Sequence, residues 1–352
     1  MKKLITFLKY TLLTIFSIVL LLVLFIFINN RIFIGSQEQQ FTDYLKENRE
    51  EISGKVEGKL FDDNFFNSQV FLFGEVHGYA DNQKADQYFL KFLNQEKGVR
   101  YYVAEIDSIN ADKLNHFLID STKNLPLLKE VVTAIRKRIP QQSSKELLEK
   151  WSDIYDYNQT LNDSLKVQVL GIDVDSDDNS RKIPRDSAMY VNFSNSLKRL
   201  RIQDEKFYGF FGFYHVLQHG AKMGKKPFAE YLKNSGFKVS SIVSYTLDSE
   251  MYLPKTPQFP TPADQKISWI NADGPFMLVK GINDFNGLLK PNSIHLFKLD
   301  SKESPFLTSD KLVSIKSRMF GENFTPQQST STLDYFQYIV LLKNSKALTP
   351  LQ

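Results

Sequence analysis

Val70, Phe71, Leu72 and Phe73 form a run of large apolar residues that ends in Gly74-Glu75-Val76-His77-Gly78. A short continuous apolar run bounded by glycine fits a strand buried on both faces. Such a strand needs covering layers on either side of its sheet. A carboxylate and an imidazole at the end of a buried strand are costly unless they are used. On extended backbone Glu75 and His77 are two residues apart and point the same way.

The rest of the chain repeats this alternation. Further strands are expected over 101–106, 167–172, 207–211 and 335–342, with a β-like segment at 239–243. A helix with Asp81 as N-cap carries Ala85, Phe89, Phe92 and Leu93 on one face, and a helix capped by Asn110 turns Leu114, Phe117 and Leu118 inward. Residues 125–151 read as mostly helical, interrupted at Pro140, with Ser143 and Glu146 as a capping box. A helix from Asp186 places Met189, Phe193, Leu197 and Leu200 on one face. Pro254, Pro257, Pro260 and Pro262 mark an irregular segment. Strands at 276–280 and 293–299 read as a peripheral addition within 250–320. The expected fold is α/β, a central mostly parallel sheet flanked by helices with a small peripheral β addition, preceded by one N-terminal transmembrane helix.

Residues 10–28 contain no charge and are long enough to span a hydrocarbon core. Lys2, Lys3 and Lys9 precede them and Arg31 follows, so residues 1–9 are expected in the cytoplasm and the main domain outside. Asn29, Asn30 and Arg31 make a poor cleavage site, which favours an uncleaved signal anchor over a cleaved signal peptide. Residues 29–67 read as a polar stalk leading to a domain at 68–350. The 44 basic residues exceed the 40 acidic ones by four. Lys2, Lys3, Lys9 and Arg31 supply that excess, so the body of the chain is neutral and gives no reason to expect nucleic acid as a partner. With no cysteine in the chain, a thiol nucleophile, thiolate metal ligands and disulfides are excluded.

In an open α/β sheet, ligands bind beyond the carboxyl ends of the strands. Four expected strands carry ionisable residues there: Glu75 and His77, Glu105 and Asp107, Asp173 and Asp175, and His215. Two chemistries suit such a set. His77, His215, Glu75, Glu105 and Asp173 could hold a divalent metal (manganese, zinc or cobalt) that activates water. Alternatively, a histidine could act as general base on water, oriented by a carboxylate. No serine sits in a Gly-x-Ser-x-Gly elbow, which disfavours a serine hydrolase. Arg136, Lys137 and Arg138 read as a solvated face, and Lys222, Lys225 and Lys226 as a solvated loop. His116 and His219 read as exposed, and His295 lies in a predicted peripheral strand.

Gly74-Glu75-Val76-His77-Gly78, Ala104-Glu105, Gly171-Ile172-Asp173 and Gly212-Phe213-Tyr214-His215 together resemble the erythromycin esterase-like superfamily. That group includes haem-binding iron-uptake lipoproteins and Tiki/TraB-type proteins. Gly74…His77 and Gly212…His215, with Glu105 between them, are similar to the two Gly-x-x-His motifs and glutamate of the Tiki-type metalloproteases. Residues 334–340 resemble the closing strand of esterase-like members. The resemblance spans roughly residues 68–350. It implies His77 as general base or metal ligand, Glu75 as its carboxylate partner, and Glu105 and His215 as further members of the site. Two features depart from the macrolide esterases. One residue, not two, separates Glu75 from His77, and the arginines those enzymes place near the site have no counterpart assignable from the sequence.

The expected function is a membrane-anchored extracytoplasmic hydrolase of ester or amide bonds, acting on a small molecule or peptide. The alternatives are a haem- or iron-binding uptake-type protein without turnover, and a degenerate non-catalytic member.

Overall fold

The computed structural model describes residues 2–174, 183–257, 259–317 and 323–351. Eight strands form the main sheet: β1 (Arg49–Glu51), β2 (Val70–Glu75), β3 (Tyr101–Ala104), β4 (Gln168–Gly171), β5 (Phe207–Gly212), β6 (Val239–Leu247), β7 (Ser293–Lys298) and β8 (Tyr338–Lys343). Their spatial order is β1-β7-β8-β6-β2-β5-β3-β4. The six strands from β8 to β4 run parallel, while β7 and β1 are added antiparallel at one edge. Because β2, β5, β3 and β4 are consecutive neighbours and parallel, their carboxyl ends share one edge of the sheet.

The side chains of β5 show how the two faces are filled. Phe207 and Phe211 pack toward Phe193 and Phe228, on helices Arg185–Leu200 and Phe228–Asn234. Tyr208 and Phe210 point to the other face, where Phe210 meets Phe73 and Phe73 meets Phe89 of helix Ala80–Lys97. This two-residue alternation is the strand period, and both faces are apolar because both are covered. The covered face nearest helix Ala80–Lys97 holds one buried polar cluster. Asp86 accepts from Tyr208 at 2.8 Å, Tyr102 at 2.9 Å and Lys150 at 2.6 Å. It joins two helices, Ala80–Lys97 and Lys145–Gln159, to two strands.

Several boundaries differ from the sequence reading. Residues 35–67 are not a stalk. Helix Gln39–Glu47 buries Phe41, Thr42, Tyr44 and Leu45, β1 joins the main sheet, and Phe61 and Phe65 lie in the core. The aromatic side chains were hidden in the sequence by the charges around them. The segment 293–299 is not peripheral either: β7 bridges β8 and β1, and His295 on it is buried and lies 3.1 Å from Ser293 Oγ. The expected strand at 276–280 is Met277–Val279, paired with Ile315–Ser317 in a separate two-stranded ladder. Helix N-caps also shift. Tyr79, Asp107 and Ser144 hold those positions, not Asp81, Asn110 and Ser143.

Helix Lys2–Ile34 is exposed over residues 3–29 and has a mean hydropathy of 3.1 in its most apolar window. At 1.5 Å per residue it is about 50 Å long, enough to cross a bilayer as an anchor or to serve as a signal sequence.

Removing one partner of a buried ion pair strands the other charge. Lys150→Ala is therefore expected to cost about 3–5 kcal/mol. In urea this should appear as a lower midpoint with an unchanged slope; a midpoint within error of wild type would contradict it.

Candidate active site

The register of β2 on β5 sets the site. Glu75 lies opposite Gly212, so the two Gly-x-x-His segments leave the sheet side by side. A Cβ on Gly74 would come within 2.3 Å of Val216 Cγ2 and 3.3 Å of Phe213 Cα, in the short 3-10 turn Phe213–Val216 that carries His215. A Cβ on Gly212 would lie 3.2 Å from His77 Nε2 and 3.5 Å from His215 Cδ2. Each glycine therefore leaves the space that the other segment occupies, and the two imidazoles meet over Gly212.

Each imidazole has its own carboxylate. His77 Nδ1 is 2.9 Å from Glu75 Oε1, and Gln142 Nε2 donates to the same oxygen at 2.6 Å. His215 Nδ1 is 2.5 Å from Asp186 Oδ1, which also accepts from Phe228 N at 2.8 Å. A carboxylate can only accept, so both rings carry their neutral-state proton on Nδ1 and present Nε2 toward the other side.

Arg185 ties the remaining groups together. Its guanidinium donates to Glu105 Oε1 at 2.6 Å and to both oxygens of Asp173, and its Nη1 is 3.2 Å from His215 Nε2. Arg138 also approaches Asp173, at 3.5 Å. Glu105, whose other oxygen accepts from Gly212 N at 2.8 Å, is buried, as are Glu75, Asp173 and Asp186.

The charges are interdependent. Burial alone would raise the pKa of Glu105, but His215, Arg185 and His77 and the Gly212 N–H bring it down to about 2. Burial alone would lower the pKa of His77, but the bonded Glu75 carboxylate, with Glu105 beyond it, raises it above 6.5. Burial likewise opposes charging of His215, and Glu105 and Asp186 outweigh both that and the repulsion from Arg185. The favourable contribution of each protonated histidine to stability is present below its unfolded pKa and is lost as the pH rises through the raised folded value. That of ionised Glu105 is present above its unfolded pKa and is lost as the pH falls toward about 2.

Of the seven residues expected at the strand ends, Glu75, His77, Glu105, Asp173 and His215 converge at this edge, whereas Asp107 is the N-cap of helix Ser108–Ile119. Asp175 lies outside the described residues. His219 does not continue a helix from His215; it packs edge-on against Tyr335. Arg136 and Arg138 are not merely solvated, since Arg136 donates to the Leu351 carbonyl and Arg138 to that of Val174. Arg185, Asp186 and Gln142 are members of the site that the sequence reading did not identify. Arg185 left one signal. A cation in the first turn of a helix opposes the macrodipole and calls for an anionic partner elsewhere.

The side chains do not fit the expected metal. Among the described residues, no three His, Asp or Glu side chains are grouped to hold one ion. Arg185 already occupies the position between Glu105 and Asp173, and a divalent ion there would have to displace it.

Above the imidazoles lies a cavity of about 980 Å³. Its wall is mainly apolar, with Met251, Ile270, Met277, Ile315 and Phe324, and Glu75, His77 and His215 also line it.

The fold and site define an α/β domain with a six-stranded parallel core and two carboxylate-paired histidines at the ends of adjacent strands. No family model matches the chain, and no curated protein does. Two solved structures share the fold. A Bacillus cereus protein superimposes with a TM-score of 0.64 at 13% identity, covering 89% of this chain and 99% of its own. A succinoglycan biosynthesis protein gives 0.59 at 14% identity, covering 90% and 100%. An erythromycin esterase in its open conformation gives 0.48 at 12% identity, covering 84% and 98%.

Glu105→Gln removes a charge that supports both histidines. The pKa of His215, followed by imidazole NMR titration, is expected to fall in the variant, with a smaller fall at His77. An unchanged His215 would contradict the described electrostatics.

Proposed function

We propose that the chain is a membrane-anchored, extracytoplasmic hydrolase of ester or amide bonds, with His77 as general base toward water. The observation that carries this reading is the pair of histidines meeting over Gly212, each with Nδ1 on a carboxylate. Glu75 holds the His77 proton on Nδ1, which leaves the Nε2 lone pair to take a proton from water as it attacks the carbonyl carbon. The proton that His77 takes from water passes to the departing oxygen or nitrogen as the carbon–heteroatom bond breaks, while His215, whose pKa Glu105 and Asp186 raise against burial, lies beside His77. Arg185 acts on His215 and Glu105 as a positioning residue and helps lower the pKa of Glu105. Glu75 Oε2 is buried with no protein partner among the described residues, which suits an edge completed by water or substrate. The anchor reading is supported by helix Lys2–Ile34, with its lysines on one side of the apolar stretch.

A haem-binding reading has in its favour an apolar cavity beside histidines. Against it, His215 Nε2 faces the guanidinium of Arg185 at 3.2 Å, a cation where iron would have to ligate.

A panel of chromogenic esters and peptides, assayed with wild type and His77→Ala, tests the hydrolase reading. The variant is expected to lose about 100-fold or more in kcat/KM, the scale of a general base, while still unfolding in one cooperative transition. No turnover of any member by wild type, or equal turnover by both proteins, would overturn it.

A further inference from the structure

The anchoring helix does not hang free of the domain. Its last residue, Ile34, is buried, and the Ile34 carbonyl accepts from Gly281 N at 2.8 Å. Asn283 Nδ2 donates to the Gly35 carbonyl at 2.7 Å. Lys316 donates to Asn29 Oδ1 at 2.7 Å and sits 4.3 Å over the Phe33 ring. The end of the helix is thus clamped to the ladder formed by Met277–Val279 and Ile315–Ser317.

The same ladder is a wall of the cavity, to which Met277, Ile315 and Ser317 contribute lining. A bilayer containing residues 10–28 would end within a turn or two of the clamp, so the cavity wall would lie at the membrane surface. The rim supplies a second, independent observation. The loop carrying Lys222, Met223 and Lys225 also lines the cavity, and Met223 is 92% exposed. An exposed apolar side chain flanked by lysines suits the boundary between acyl chains and anionic headgroups. In water alone, such a methionine has no partner to gain.

We propose that the ligand of this cavity is an anionic membrane amphiphile with a long acyl ester, drawn from the bilayer along the anchor's end. The chain would lie along Met251, Ile270, Met277 and Phe324, with the ester carbonyl at His77 Nε2. This deepens the hydrolase reading and rests on it for turnover, and it rests on the anchor for delivery. Hydrolysis then adds water across the acyl C–O bond, giving a free fatty acid and the corresponding alcohol, without any co-reactant.

The test uses the full chain carrying His77→Ala, so that substrate is not consumed, reconstituted in phosphatidylglycerol vesicles. The vesicles are doped with a phosphatidylglycerol bearing a photoreactive diazirine near the end of one acyl chain. Cross-links mapped by mass spectrometry are expected on cavity residues such as Met251, Ile270 and Met277. They should fall at least fivefold when phosphatidylcholine replaces phosphatidylglycerol. They should fall similarly when a Gly-Ser spacer of about 20 residues, with a reach of roughly 25 Å, is inserted between Ile28 and Asn29. Cross-links confined to helix residues 2–34, or cavity cross-links indifferent to headgroup and spacer, would overturn the proposal. Wild type releasing fatty acid from the same vesicles would join the two readings. Cavity cross-links without release would leave the acyl ligand standing and remove only the hydrolase reading, so the two failures are distinguishable.

Discussion

Parallel pairing of β2 with β5 brings two glycine-led segments so close that a Cβ at Gly74 would strike the turn after β5 and one at Gly212 would crowd the His77 ring. Gly74 stands under the turn that carries His215, and Gly212 stands under the ring of His77. This contact brings the imidazoles together over one point, and Glu75 and Asp186 then fix which nitrogen of each is bound to a carboxylate and which is turned away. Gly74 and Gly212 need no left-handed backbone here; their role is the absence of a Cβ at a close approach.

Contact alone would not hold charges in this place. Burial penalises ionised Glu105, Asp173 and Asp186, and leaving them unpaired at the end of an apolar sheet would be costly. Arg185 meets that need by spanning Glu105, Asp173 and His215 from a single helix terminus. A guanidinium suits the position because it stays charged and its planar fork can serve two carboxylates at once. The consequence is a histidine pair biased toward protonation by its surroundings, yet with one ring, His77, turned by Glu75 to present an open nitrogen. This charge balance is also why a metal ion is poorly accommodated by the same carboxylates.

Much of the sheet edge was legible in the sequence, because buried strands leave uninterrupted apolar runs and the residue after each run is then conspicuous. Glu75, His77, Glu105, Asp173 and His215 were found in this way. Arg185 was not, since it lies 80 residues beyond Glu105 and belongs to no pattern that periodicity detects. Gln142 was concealed in a stretch read as helical, where a short 3-10 segment from Pro140 turns it toward Glu75. The antiparallel edge was missed for another reason. β1 is three charged residues long, and nothing in Arg49-Glu50-Glu51 suggests a strand until β7 is beside it. Pairing partners distant in sequence decide such segments, and local composition does not report them.

In the proposed mechanism Glu75 orients His77 and raises its basicity so that Nε2 can take a proton from water. The pH dependence of kcat/KM on a soluble ester, compared between wild type and Glu75→Gln, tests this most directly. A general base must be deprotonated to act, so the acid limb reports the pKa of His77 in the free protein. The account expects that limb above the ordinary histidine value of 6.5 in wild type and displaced to lower pH in the variant, with a reduced plateau. An acid limb that does not move when Glu75 loses its charge would contradict it.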